Sequence, residues 1–576
     1  MAIDVNFMIG GEAGQGVQSA GFVLAKALAR GGFHVFADQD YESRVRGGHN
    51  FFRVRAKDRE VGAIRQEVDV LVALNSESVA LHRNELSPDG VLIFDSDKDV
   101  DFEGNDRMLG VPLERLAQEK GGNKVMTNMV GLGSAAGLFG YDRQILRDAV
   151  TDFFGAGDIA RSNVAAILSG YEYAGTAFGS GRLRVLKAVD GQRRILLNGN
   201  EAIALGALAA GCKFLAAYPM TPSTPIMEFM AGKADDLGVV VVQPEDEISA
   251  INMIVGAAFA GVRAMTVTSG GGFCLMVEGL GLAGMTETPI VVVDGQRAGP
   301  AIGLPTRTEQ GDLQFVLHAS HGDFPRVVLA PGTVQEAFWL TVKAFNLAEQ
   351  YQVPVIILND QYLATSYSTS ERFDPAQVRI NRGQLLNGDD LSRLPPYTYR
   401  RHAITPSGIS PRAVPGRNGI LVVTDSDEHD EEGHIIEDAG IRTAMMEKRL
   451  RKAEGLKEEM AGPKKYGPQQ ADITLVGWGS NYGLLKETVD LALAADKEIK
   501  VNMVHFSELW PFPAEAAAEA LANAKRTVAV ENNATGQFAR LLKAETGHAV
   551  DRKILKFDGR PFSPAYVLDK LWKEVI

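Results

Sequence analysis

Four short stretches collect the groups best suited to chemistry. They are Tyr218, Pro219 and Thr221 in "YPMTP", the carboxylates Glu245, Asp246 and Glu247 in "PEDEIS", Ser269, Gly270, Gly271 and Gly272 in "SGGGF", and Arg297 in "DGQRAG". A shielded carboxyl can hold or move a proton. A hydroxyl and a guanidinium can hold a carboxylate between them, and glycine amides opening a helix can face an anion. Each stretch also has a plain structural use. Carboxylates favour the positive end of a helix, glycines make tight turns, Arg297 could be a surface cation, and Thr221, Ser223 or Thr224 could cap a helix. The prolines of "YPMTPSTP" would stiffen the turn that presents Thr221.

The elements that position these groups are legible. "KFLAAYP", "GVVVVQP", "AMTVTSG" and "PIVVVDG" are apolar or β-branched runs ended by Pro or Gly, with helical patterns between them. Such runs predict a parallel sheet, whose ligands bind beyond the carboxyl ends of the strands, so the four stretches would share one rim. Residues 191–366 form this unit. Ahead of it, residues 1–190 read as an α/β domain opened by "VNFMIGG", a glycine turn and a small-residue helix, with βαβ units in a parallel sheet. Residues 367–470 lack that regularity and read as a connector and interface segment, and residues 471–576 read as a further small α/β unit. The fold class is therefore multidomain α/β.

Composition narrows the function. The chain has 576 residues, too many for one ordinary core. Its formal net charge of -13 speaks against nucleic acid as a partner. "MAIDVNFMIGG" lacks the pattern of a secretory signal, and no uncharged apolar run is long enough to cross a membrane. Cys212 and Cys274 are the only cysteines, too few for a four-thiolate cluster, and suit a reducing cytoplasmic compartment.

The ordered segments "YPMTPSTP", "EDEISAINMIVGAAFAG", "TVTSGGGF" and "VVVDGQRAGPAIGLPTRTEQGDL" resemble the pyrimidine-binding domain of the 2-oxoacid:ferredoxin oxidoreductases. "GGEAGQGVQSAG" with "YESRVRGGHNFFRVR" resembles the gamma domain of that family, here ahead of the alpha part, and "ENNATGQFARLL" resembles its transketolase-C-terminal-like domain. "RRHAITPSGISPRAVPG" and "DEHDEEGHIIED" look most like the 2-oxoglutarate branch.

The resemblance implies an enzyme that uses thiamine diphosphate to decarboxylate 2-oxoglutarate oxidatively with coenzyme A. The products would be succinyl-CoA, carbon dioxide and reduced ferredoxin, and the reverse would be a reductive carboxylation that fixes carbon dioxide, as in a reductive TCA cycle. Motif matching gives Glu247 the hydrogen bond to the pyrimidine N1', and Thr221 and Arg297 the substrate carboxylate. Tyr218, Pro219, Ser269 and Gly270 to Gly272 would line the cofactor. No glycine–aspartate–glycine stretch with a following metal-binding Asn is present, so the diphosphate, magnesium and an iron–sulfur cluster of the 4Fe-4S type are expected in a beta subunit, in an alpha–beta assembly or its dimer. This chain itself is expected to hold no metal. Alternatives are pyruvate or a branched-chain or aryl 2-oxoacid as substrate, or a noncatalytic scaffold role.

Gly14, Gly16, Arg44 and Arg46 are candidates for coenzyme A or a partner surface, with turn anchoring as the plainer use. His49 reads as a local hydrogen-bonding residue. His429 and His434 fit no zinc spacing and read as part of a solvated or interfacial loop, and "KRLRKAEGLKEEM" reads as an exposed charged helix.

Overall fold

The structure, a computed structural model, describes residues 3–575 except 44–46, 99–106, 179–182, 184, 190–193, 396–397, 417–419 and 496–497. It divides into two units. One comprises Met1–Asn198, Thr365–Arg372 and Ser563–Asp569, the other Gly199–Ala364, Phe373–Phe562 and Lys570–Ile576.

In the first unit the described strands form one sheet in the order Arg107–Val111, Leu86–Asp95, Val68–Ala73, Asp4–Glu12, His49–Lys57, His34–Asp40, Tyr367–Ser370 and Ile195–Leu197. Only its first half is parallel. Asp4–Glu12 pairs antiparallel with His49–Lys57, which pairs antiparallel with His34–Asp40. This departs from the all-parallel expectation for a physical reason: residues 41–48 are too few for a crossover, which needs about a dozen or more. The buried pair Arg53–Asp38 lies directly across that ladder, bidentate at 2.9 and 2.7 Å.

In the second unit the four apolar runs become the strands Phe214–Ala216, Val240–Val242, Ala264–Thr268 and Ile290–Gln296. The sheet order is Glu508–Trp510, Val327–Leu329, Pro354–Asp360, Ile290–Gln296, Ala264–Thr268, Phe214–Ala216, Val240–Val242, parallel except for the antiparallel edge strand Glu508–Trp510. Ile290–Gln296 and Pro354–Asp360 are buried along their whole length, as strands covered on both faces must be. One face packs on the helices Gly199–Ala209 and Val334–Tyr351. The other packs on Glu247–Phe259 and Gly270–Met285, in a core continued by Trp478, Phe506, Phe512 and Phe538 from the C-terminal part. That part forms a second sheet in the order Lys464–Tyr466, Val501–Phe506, Ile473–Trp478, Thr527–Glu531, Arg552–Leu555. Among the described residues no helix is long and apolar enough to cross a membrane.

The connector is bound by charge. The four helices covering the sheet carry no basic residue in their last turns, so their carboxyl ends need cations from elsewhere. Arg263 donates to the Ala210 carbonyl at 2.6 Å, Arg412 to Ala258 at 3.1 Å, Arg401 to Glu287 at 2.7 Å and Lys452 to Gln352 at 3.3 Å. Glu349 accepts from Arg263 and Arg412, each at 2.8 Å. Glu287, fully buried, meets Lys448 and Lys452 and pairs with His402 Nδ1 at 2.9 Å. Burial alone would raise the Glu287 carboxyl, but Lys452, Lys448 and His402 hold it well below its ordinary value. Burial pushes the Lys448 ammonium down to about 7.

Two expectations change here. The helix Ala439–Glu459 is not an exposed charged helix, because Lys448, Arg449 and Lys452 are buried against Glu287 and Glu428. His429 is buried and lies against His402, ring centroids 4.0 Å apart and planes tilted by 49°, while His434 is exposed. Replacing Glu287 with alanine would leave two ammonium groups buried without a counter-ion. Glu287→Ala is expected to cost about 3–5 kcal/mol of stability, read by urea unfolding, and to make residues 373–438 the first segment cut in limited proteolysis.

Candidate functional site

Parallel register brings the chemically able stretches to one edge of the sheet. Ala216 lies opposite Val242, Leu215 opposite Met265, Thr268 opposite Asp294, and Gln296 opposite Asp360. The segments leaving these strands therefore meet at the carboxyl-end rim.

The structure separates the three acids. Asp246 is the helix cap: its side chain accepts the Ser249 amide at 2.7 Å. Glu245 accepts the Ser249 hydroxyl at 3.3 Å. Glu247, the first residue of Glu247–Phe259, turns inward, is 4% exposed, and its Oε1 has no partner among the described residues. A buried polar atom without a partner costs about 1–3 kcal/mol, a cost that Glu247 Oε1 carries within this chain.

The glycine run is not a turn. Gly270, Gly271 and Gly272 are the first turn of the helix Gly270–Met285, and Ser269 occupies the cap position without capping, its Oγ buried and without a partner. Space explains the glycines. A Cβ on Gly272 would lie 2.5 Å from Glu247 Oε1 and 2.1 Å from Thr268 Oγ1, and one on Gly270 2.7 Å from Asp312 Oδ2. The helix start thus presses on both acids.

Arg297 is no surface cation: it is 9% exposed, and its Nη1 donates to the Thr221 carbonyl at 2.8 Å. Its remaining donors and the Thr221 hydroxyl have no protein partner among the described residues. The capping alternative is not realised: Ser223 precedes the helix Thr224–Ala231 without capping it and donates to the Thr268 carbonyl at 2.6 Å. Tyr218 is exposed at the rim, beside the half-buried Pro219.

Sequence reasoning passed over the loop before the helix Leu313–Leu317. Gln310 donates to the Trp478 carbonyl at 3.0 Å and accepts from Asn481 Nδ2 at 3.0 Å and the Asn532 amide at 3.1 Å. Asn533 donates to the Gln310 carbonyl at 3.2 Å and Gln537 to the Gly311 carbonyl at 2.6 Å. The "ENNATGQ" stretch thereby fixes the "TEQGDL" loop over the rim. Asp312 is thereby brought to the strand that carries Asp294, its amide donating to Gln296 Oε1 at 3.2 Å. Burial raises both carboxyls, Asp312 to about 6 and Asp294 well above its ordinary value, with Arg297 opposing. Burial and Asp312 push Glu309 up to about 7. The signal was present in the polar run "TEQGD" between apolar segments, but its partners lie more than 160 residues away.

The other candidates sit elsewhere. Gly14 and Gly16 have φ of +94° and +69°, and Gly16 accepts from Asn128 at 2.9 Å just before the helix Val17–Arg30. Arg44 and Arg46 lie outside the described residues. His49 hydrogen-bonds His82 at 2.7 Å. Within the described residues no cluster of His, Cys, Asp or Glu could hold a metal ion. "RRHAITPSGISPRAVPG" and "DEHDEEGHIIED" contain Arg401, His402, Arg412 and His429, which pack at the amino-end side of the strands.

Residues 205–448 match the family described as pyruvate flavodoxin/ferredoxin oxidoreductase, thiamine diphosphate-binding. Residues 6–173 match pyruvate ferredoxin/flavodoxin oxidoreductase, and 471–566 match pyruvate:ferredoxin oxidoreductase core domain II. The alpha subunit of 2-oxoacid:ferredoxin oxidoreductase 2 of Aeropyrum pernix is 33% identical, over 97% of this chain and 96% of its own. The 2-oxoglutarate synthase subunit KorA of Methanothermobacter marburgensis is 34% identical over 65% of this chain and 97% of its own. A solved 2-oxoglutarate:ferredoxin oxidoreductase from Magnetococcus marinus, with 2-oxoglutarate, coenzyme A and succinyl-CoA bound, is similar over 100% of both chains, with a TM-score of 0.91 and 31% identity.

The packing of the glycine turn can be tested directly. Gly272→Ala is expected to cost about 1–3 kcal/mol through overpacking against Glu247 and Thr268. Gly271→Ala, whose Cβ would meet only the Ala301 carbonyl at 3.6 Å, should be neutral or stabilising by up to about 1 kcal/mol. Urea unfolding of the two variants side by side checks the contrast.

Proposed function

The chain belongs to the 2-oxoacid:ferredoxin oxidoreductases as an alpha-type subunit, and from that premise we propose that it decarboxylates 2-oxoglutarate with coenzyme A, giving succinyl-CoA, carbon dioxide and reduced ferredoxin. The enzyme is an oxidoreductase of multidomain α/β fold, and its 205–448 segment is of the thiamine diphosphate-binding type. The same reaction run backwards is a reductive carboxylation that fixes carbon dioxide. The choice of 2-oxoglutarate is supported by the ligands of the Magnetococcus enzyme and by the 2-oxoglutarate synthase relatives.

The observation that carries the mechanism is the buried, partnerless Glu247 Oε1 beneath a helix turn of glycines. The residues present fit the pyrimidine half of thiamine diphosphate. Glu247 would hold a hydrogen bond to the ring nitrogen N1', Ser269 and Gly270 to Gly272 would pack on the ring, and Tyr218 and Pro219 would close its edge. Once bound, the cofactor supplies a sink for the electron pair released when carbon dioxide leaves. Thr221 Oγ1 and the free Arg297 donors would hold the substrate carboxylate beside it, oriented by the Arg297 bond to the Thr221 carbonyl. The diphosphate, magnesium and an iron–sulfur cluster are assigned to a beta subunit, because this chain offers two cysteines and one of them, Cys212, is buried with its thiol raised to about 12. Gly14, Gly16, Arg44 and Arg46 remain candidates for the coenzyme A or partner surface. Residues 1–190, 191–366, 367–470 and 471–576 are proposed as gamma-type domain, pyrimidine domain, connector and transketolase-C-terminal-like domain of a cytoplasmic enzyme.

Anaerobic purification of the tagged chain with its partner, followed by dye reduction driven by 2-oxoglutarate, pyruvate and branched-chain 2-oxoacids, tests the assignment. Coenzyme A-dependent reduction selective for 2-oxoglutarate supports it, and selectivity for another 2-oxoacid reassigns the substrate. Glu247→Gln is expected to lower turnover by at least about a hundredfold, and unchanged turnover in an assembled complex would return the chain to a scaffold role. Arg297→Ala is expected to raise KM and lower kcat together, and unchanged kinetics would remove it from the carboxylate site.

A further inference from the structure

Three successive carbonyls of the turn that carries Thr221 are held, each by a different element. The Met220 carbonyl accepts the Ser223 and Thr224 amides at 2.9 and 3.2 Å, where the turn closes on its own helix. The Thr221 carbonyl accepts Arg297 Nη1 at 2.8 Å. The Pro222 carbonyl accepts Asn200 Nδ2 at 2.8 Å, from the first turn of the helix Gly199–Ala209. Asn200 is held in its turn: its Oδ1 accepts Asn359 Nδ2 at 3.2 Å, from near the end of the strand Pro354–Asp360. The two asparagines are buried, at 1% and 0% exposure, on the sheet face that otherwise packs Val293, Ile357 and Leu363.

The direction of this chain of amides is fixed by its end. A carbonyl can only accept, so Asn200 must turn its amino group to Pro222 and its oxygen to Asn359, which must answer with its own amino group. That leaves Asn359 Oδ1 buried and without a partner. An apolar side chain would fill the same space without that cost, so Asn359 is retained for what its donor holds. Two glycines allow the approach. Gly295 lies opposite Asn359 in register, and a Cβ on it would meet Ser223 Oγ at 2.1 Å and Pro222 Cδ at 3.1 Å, while a Cβ on Gly199 would meet the Leu363 carbonyl at 2.5 Å. We infer that Asn200 and Asn359 are positioning residues for the substrate-carboxylate site. Asn359 orients Asn200, Asn200 fixes the Pro222 carbonyl, and Arg297 fixes the carbonyl before it. The peptide planes on both sides of Thr221 and the one beyond are then set, and its hydroxyl is left only its own rotamers in which to move relative to the guanidinium. Without the Asn200 bond, the Thr221 carbonyl is tied to a long side chain that can swing with it. The inference rests on Thr221 and Arg297 holding the carboxylate of a 2-oxoacid.

The test is calorimetric titration of the assembled, cofactor-loaded enzyme with N-oxalylglycine, which keeps both carboxylates of 2-oxoglutarate, and with oxamate, its counterpart for pyruvate. The parent is compared with Asn200→Ala, Asn359→Leu, Arg297→Ala and the double variant Asn200→Ala/Arg297→Ala. Asn200→Ala is expected to weaken binding of the preferred analogue about tenfold, the worth of one buried hydrogen bond, and Asn359→Leu about threefold, since it keeps the volume and leaves Asn200 its own bond. Thiamine diphosphate affinity of the same complexes should stay within about twofold of the parent, as for sites that do not share partners. In the double variant the loss should remain close to that of Arg297→Ala alone, because Asn200 reaches the carboxylate only through the clamp. A brace that merely stabilises the fold gives losses that multiply, or melting temperatures that fall while analogue affinity is kept, and either result overturns the proposal. Where Asn200→Ala fails to assemble, Asn359→Leu combined with Arg297→Ala supplies the same cycle. The two possible failures are distinct. If Arg297→Ala leaves analogue affinity unchanged, the carboxylate docks elsewhere and the reading of the clamp falls, with this proposal. If Arg297→Ala weakens binding and neither asparagine variant does, only the asparagine chain is discarded.

Discussion

A carboxyl group kept dry with an oxygen unsatisfied is the constraint around which the second unit is arranged. Glu247 could have been relieved by a turn of its own helix start, since three acids precede a free set of backbone amides. That relief is denied because Asp246 already takes the Ser249 amide. Glycines at 270 and 272 then bring the next helix close enough to shut out water, at the cost of the weaker helix propensity that glycine carries. Neither feature makes sense for stability alone. Together they keep one buried acceptor unsatisfied within the chain.

That arrangement depends on a distant part of the chain. The "TEQGDL" loop has little regular structure of its own, and a loop of that kind holds a position only if its backbone groups are satisfied by neighbours. Gln310 uses both ends of its amide for that purpose, reaching Trp478, Asn481 and Asn532. The C-terminal sheet shares its core with the rim's sheet, so its "ENNATGQ" turn has a fixed place from which to hold the loop. Asp312 is therefore delivered to the strand Ile290–Gln296 by contacts far away in sequence, and its place at the rim is a product of tertiary packing.

This is also why the sequence is informative in some places and silent in others. The four strand ends are legible because β-branched runs closed by Pro or Gly encode strand and rim locally, and the order of the motifs carries Thr221, Glu247 and Arg297. The glycine run reads as a turn and is a helix start, because glycine selected for close approach and glycine selected for positive φ look alike in sequence. The antiparallel half of the first sheet is hidden unless the shortness of residues 41–48 is weighed against a crossover. The buried lysines of Ala439–Glu459 cannot be read at all: the pattern "KRLRKAEGLKEE" is that of a solvated helix, and only Glu287, about 160 residues away, makes its burial tolerable.

The two edges of the sheet show opposite electrostatic logic. At the amino-end side the helices finish without cations of their own, and Arg263, Arg401, Arg412 and Lys452 supply them, each also near a buried glutamate that offsets its charge. Charge there is paired and bonded, which is the condition under which burying it is tolerable. At the carboxyl-end rim the helices begin, their positive ends favour acids, and the acids Glu247, Asp294 and Asp312 outnumber the one buried cation, Arg297. The helices run one way, so one edge accumulates cations and the other anions without any further design. What distinguishes the rim is that its groups are left incompletely paired. A parallel sheet whose amino-end edge is locked by a charged connector can hold unsatisfied groups such as Glu247 Oε1 at the other edge without yielding.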